Sequence, residues 1–205
     1  SSANSVGNYS ITVNSLAQAR TVASSGFVDI TSAATGTGTL VIATGSNDPV
    51  TVSITSSNCT LNGVCNAINN ANAGVRASII NDGSSTPYRL LITAEKTGTA
   101  NSFALTDNLS GGQALDLSQT QAAKDATFLI NGASITKSSN VIDDVISGAT
   151  FTLKNVSAGP VTLHLERDVD AIVKALNEFV SAYNAVNSFI SSQFTYNLSS
   201  ESAGV

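Results

Sequence analysis

Residues 38–94 read GTLVIATGSNDPVTVSITSSNCTLNGVCNAINNANAGVRASIINDGSSTPYRLLITA. Two apolar, β-branched runs at 40–42 and 50–54 flank Gly45-Ser-Asn-Asp-Pro49, and a turn-rich link between such runs reads as a hairpin. Helical spacing follows, since Leu61, Val64, Cys65, Ile68 and Ala71 share one face, with Thr60 placed as N-cap and Gly74 as terminator. Residues 75–80 and 88–94 return to strand, joined through Asn81-Asp82-Gly83 and a short polar loop. Residues 38–106 therefore predict a ββαββ unit, and the fold class is α+β, mostly β.

On the N-terminal side, Tyr9-Ser-Ile11-Thr-Val13 alternates like a half-buried strand. Residues 16–23 either extend it or form a helical turn, and Gly26, Gly36 and Gly38 punctuate a Ser/Thr-rich connection. On the C-terminal side, 107–123 is polar and glycine-bearing, with Leu105, Leu109, Leu115 and Leu117 as weak anchors. A second β run begins at Ala126: residues 128–130, the turn at Asn131-Gly132, 134–136, 151–153 and 161–165. Asn-Gly between apolar runs is a strong hairpin signal.

The end of the chain changes period. Val169, Ile172, Leu176, Phe179, Tyr183, Val186 and Ile190 are spaced alternately by three and four, a coiled-coil seam that Val173 and Val180 widen. Asp168 and Asp170 suit the positive N-terminal end of such a helix. Nothing else in the 205 residues has a matching period, so the seam's partner helix is expected in another chain or in termini that this sequence lacks.

Composition narrows the function. Only 11% of residues are charged, against roughly 25% in ordinary soluble proteins. Thirty serines, 22 threonines and 20 asparagines replace them, so the surface is built of hydroxyls and amides. A net charge of −5 gives no broad basic patch and argues against nucleic acid as a partner. Neither a membrane span nor a signal peptide is visible. The chain holds no methionine, so position 1 is not expected to be the natural start.

Candidate reactive residues are few. His164, the only histidine, alternates with Leu163 and Leu165 and is expected on the solvent face of a strand. Asp143-Asp144 reads as a helical-turn start or a solvated loop, and Glu166-Arg167-Asp168 as an interdomain salt-bridge cluster. Gly36-x-Gly38 lacks the third glycine and the strand-to-helix setting of a phosphate loop. Asn-x-Ser/Thr triplets at Asn8, Asn58, Asn108, Asn155 and Asn197 are what this composition supplies by chance. Cys59 and Cys65 bracket a helix start, so a disulfide is expected there, worth on the order of 2 kcal/mol; the alternative is two small buried thiols. No cofactor, no metal centre and no catalytic site is expected.

Several stretches, in order, resemble the bacterial flagellar filament-capping family, whose members are also called hook-associated cap proteins. Residues 9–19 (Tyr-Ser-Ile-Thr-Val followed by Leu16-Ala17 and Ala19) are similar to the strand after its N-terminal helix. Residues 38–40, Ala67-Ile68-Asn69, Gly74-Val75 with Ala77-Ser78, and Asn81-Asp82-Gly83 resemble a small repeat shared by cap and hook-associated proteins. Asp125-Ala126, Phe128, Asn131-Gly132, Ser139-Asn140, Ile146-Ser147-Gly148-Ala149-Thr150 and Leu153 follow, and then Phe179-Val180 with Ala182-Tyr183-Asn184.

The resemblance implies two β-rich head domains, one inserted in the other: 1–36 with 122–167, and 37–121. Residues 168–205 would be part of a helical leg. It further implies a secreted, non-enzymatic, homo-oligomeric cap at the flagellar tip whose partners are flagellin subunits, copies of itself and hook-associated proteins. A low-charge chain without a signal peptide fits export through the flagellar channel. An adhesin or carbohydrate-binding module, or a hook–filament junction protein, is the alternative. The cysteine pair lies outside the family pattern.

Overall fold

The computed structural model describes residues 6–166, 169–193, 196–197 and 202–203. The chain forms two compact units, 1–163 and 164–205.

The first unit contains two lobes. In the outer lobe, β1 (Gly7–Ser15) lies in a four-stranded sheet whose other members come from far along the chain. Before them come β2 (Thr21–Ala23), β3 (Gly38–Thr44), β4 (Val50–Ile54), α1 (Leu61–Asn70), β5 (Val75–Asn81), β6 (Tyr88–Ala94), β7 (Phe103–Asp107) and β8 (Ser118–Gln121). The chain then returns through β9 (Ala126–Ile130), β10 (Ala133–Lys137), β11 (Val141–Ile142), β12 (Phe151–Thr152) and β13 (Val161–Leu165). The outer sheet has the order β10-β9-β1-β13, with Ile11 opposite Ile130 and Val13 opposite Phe128. Period-two alternation sends Ile11, Val13 and Ser15 inward, as the sequence pattern predicts. Phe128 is fully buried and meets Phe151 edge-to-face at 6.1 Å. The β9–β10 hairpin turns on Asn131 and Gly132, whose φ values of 49° and 85° are the left-handed pair that a type I′ turn requires.

The inserted lobe has two sheets, β5-β6-β2-β8 and β4-β3-β7, which with α1 surround one core that includes Phe27, Leu40, Leu61, Ile68, Leu90 and Phe103. Thr60 caps α1 as expected, its hydroxyl accepting from Gly63 N at 2.9 Å. The helix stops at Asn70, before Gly74, because Asn72 already takes the left-handed conformation (φ 50°).

Three expectations change. The predicted ββαββ order is present, but its strands divide between two sheets: β3 pairs with β4 and β7, whereas β6 pairs with β5 and with β2, which in turn pairs with β8. Residues 21–23 form neither an extension of β1 nor a helical turn. They are a central strand of the inserted lobe, where Val22 lies opposite Ile92, and Val22 and Phe27 are buried in that lobe's core. Gln18 and Lys124 form an isolated antiparallel bridge between the segments that join β1 to β2 and β8 to β9. The polar stretch 107–123 holds β8 and contributes Leu115, a fully buried core residue.

The second unit is dominated by α2 (Val169–Gln193), a continuous 25-residue helix, followed by the short pair β14 (Tyr196–Asn197) and β15 (Ser202–Ala203).

Candidate interaction surface

α2 is the longest helix among the described residues and exposes the apolar positions read from the sequence. Asp170 lies in its first turn, where a negative charge meets the positive end of the helix dipole, and Lys174 stands 4.0 Å from Glu178 at i,i+4 spacing. Along the seam, Val169, Leu176, Phe179, Tyr183, Val186 and Ile190 are all exposed, from 47% at Ile190 to 68% at Phe179. Val173, Val180 and Phe189 extend the exposed apolar surface. The side chain of Ile172, the remaining seam position, lies outside the described residues. A contiguous apolar stripe exposed along a helix is unusual for a surface that faces water alone.

The other residues singled out by sequence do not converge. His164 is exposed as expected, and its Nε2 lies 2.5 Å from Glu166 Oε1. Arg167 and Asp168, the rest of that charge cluster, lie outside the described residues. Asp144 accepts from Lys137 Nζ at 2.5 Å, which holds its carboxyl below the usual range, and Asp143 stands in the adjoining loop. Among the described residues no three His, Cys, Asp or Glu side chains gather as a metal site would need. Among those residues, too, no helix is long and apolar enough to cross a membrane.

Cys59 and Cys65 are both buried and both free thiols, so the bond expected from their spacing is not formed in this structure. Each sulfur has its own polar neighbour: Cys59 Sγ donates to Ser56 O at 3.6 Å, and Asn69 Nδ2 approaches Cys65 Sγ at 3.8 Å. Burial pushes the Cys65 thiol above its ordinary value.

What sequence reasoning missed is the work done by the short polar side chains. Asn140 makes two hydrogen bonds to the buried Ala17, accepting from its N–H at 2.7 Å and donating to its C=O at 2.9 Å. Ser157 does the same for Val13, with its hydroxyl accepting at 2.8 Å and its own N–H donating at 3.0 Å. The lobes are also joined at Gly98. A Cβ there would lie 2.4 Å from the Ser138 side chain, while Asp125 accepts from both the N–H and the hydroxyl of Thr99. Such residues have no period, and only the composition hinted at them.

The described residues thus form two β-rich lobes and a helix whose apolar seam is exposed. Comparison with known proteins gives the family. Residues 10–96 match the flagellin hook IN motif and residues 123–204 the C-terminus of flagellar hook-associated protein 2. Flagellar hook-associated protein 2 of Escherichia coli is 35% identical over 206 residues, covering 93% of this chain and 44% of the relative. A three-domain crystal structure of the E. coli flagellar cap protein superposes with a TM-score of 0.77 at 34% identity, covering 88% of this chain and 56% of that one. A two-domain structure of the same cap protein gives a TM-score of 0.72 at 35% identity, covering 82% and 92%. The chain belongs to the flagellar cap protein family, that of hook-associated protein 2. It spans under half the length of the first curated relatives it matches.

Proposed function

We propose that this chain supplies the head and one leg helix of a filament cap. It works without catalysis at the flagellar tip, outside the cell, as a homo-oligomeric ring that promotes insertion of exported flagellin. The two lobes of the first unit form the head, and α2 is part of the leg. In the full-length protein the α2 seam packs on a second helix, and the paired helices meet flagellin subunits and neighbouring hook-associated proteins.

The observation that carries this reading is the α2 seam within a member of the cap family. A globular domain would bury such side chains, whereas an assembly element keeps them for another helix. The head complements it with an uncharged, hydroxyl- and amide-rich surface suited to contacts between neighbouring copies.

The test is complementation. On this reading, cells deprived of their own cap should leak flagellin and make no filaments. Supplying the full-length protein that contains this chain should restore filaments and stop the leak. Secretion of the folded protein without any change in filament number or flagellin loss would reject the reading.

A further inference from the structure

β5 is the outermost strand of its sheet, so one row of its backbone groups faces away from β6. At the middle of that row is Ala77, which lies opposite Ile92 on the inner side. Its outward N–H donates to Asn69 Oδ1 at 2.7 Å, and its outward C=O accepts from Asn69 Nδ2 at 2.9 Å. Asn69 sits in the last turn of α1, so one carboxamide makes the two hydrogen bonds that a neighbouring strand would make. The strand around it carries Ile80, 41% exposed, and exposed Ser78, with one exposed charge, Arg76, near its start and paired with Glu95 at 3.2 Å. The same pairing of one amide with both backbone groups of one residue recurs between Asn140 and Ala17.

We propose that Asn69 is a strand surrogate, an autoinhibitory contact that closes the β5 edge against an extended strand of a second copy. The alternation of an antiparallel ladder turns the N–H of Ile79 the same way as that of Ala77. The hydrogen-bonded closure is therefore centred on Ala77 and made by Asn69, distinct from the Arg76 charge at the strand's start.

The test compares Asn69→Ala with its parent in the full chain carrying Leu176→Asp, so that the helix seam does not contribute to association. Light scattering should show self-association of Asn69→Ala at about tenfold lower concentration, as two freed backbone groups become available to a strand of another copy. Infrared spectra of the associated species should show intermolecular β structure. Adding Ser78→Lys, which places a charge on that edge, should restore the parent's behaviour. A folded Asn69→Ala that stays as monomeric as its parent overturns the proposal, as does association indifferent to Ser78→Lys. Amide exchange in the unaltered protein tests it without any variant. The Ala77 N–H should exchange at least about tenfold more slowly than that of Ile79, and equal rates would overturn it.

Discussion

The head and the helix treat apolar side chains in opposite ways. In the head, Phe27, Phe103 and Phe128 are all but fully buried, whereas Phe179 and Phe189 on α2 are exposed by 68% and 64%. The head in turn satisfies its buried backbone with side chains from distant segments, as Asn140 does for Ala17. The helix satisfies its backbone by itself and leaves its apolar face for something else. One region buries its large apolar side chains and the other exposes them, which is the contrast that the proposed assembly role of α2 explains.

The largest effect that would sharpen this contrast comes from truncating one aromatic in each region. Phe27→Ala should destabilise the head by about 3–5 kcal/mol, because it opens a cavity in a closed core. Phe179→Ala should change the stability of this chain by less than about 0.5 kcal/mol, because it removes surface contacts only. Urea denaturation of both variants checks the pair, and equal losses would erase the distinction.

Asn140→Ala should cost about 2 kcal/mol, since it leaves both polar groups of buried Ala17 without their partner. Gly98→Ala should loosen the junction between lobes, because its Cβ would collide with Ser138 and its φ of 94° suits glycine. Limited proteolysis near residue 98 should accelerate in that variant and not in Gly132→Ala, where a Cβ meets nothing within 4 Å.

The cysteines give a smaller effect. Their spacing suggests a disulfide after export although both are free thiols in this structure, and alkylation of the exported, unfolded and unreduced protein decides: labelling of both would exclude the bond. Protection of both would establish the disulfide that their spacing suggests, and would add on the order of 2 kcal/mol to the head.

The smallest effect is acid sensitivity. The Arg89 guanidinium, with help from Ser84, lowers the Asp82 carboxyl from 3.8 to about 2. A depressed carboxyl stabilises the fold above its ordinary value and loses that contribution as pH falls from 3.8 toward 2. Asp29, lowered to about 2 by the Ser32 hydroxyl and by Thr31, follows the same course. In Asp82→Asn the drop in stability over that interval should be shallower, as read from denaturation midpoints against pH.

The sequence made legible whatever repeats. The alternation of β1, the Asn-Gly turn, the Thr60-capped helix and the three-four spacing of α2 are local patterns, and each stands where periodicity put it. Long-range pairing was not legible. β2 is three residues long, and its place between β6 and β8 is set by residues some seventy and a hundred positions away. β8 reads Ser-Gln-Thr-Gln with every side chain exposed, so it has no apolar alternation to betray it. The polar pairings of Asn69, Asn140 and Ser157 were hidden for the same reason, because a hydrogen bond to distant backbone leaves no mark on the local pattern.

If, as proposed, the α2 seam carries assembly while the head folds independently of it, charges placed in the seam should abolish assembly and leave the head intact. Leu176→Asp and Phe179→Asp, placed singly in the full-length protein, each set a charge into the seam at a cost of several kcal/mol once it is buried against a partner helix. Filament number and flagellin in the medium are the measurement. Either variant should be exported with a folded head, yet its cells should make few or no filaments and leak flagellin. Filaments of normal length and number from the double variant would contradict this reading.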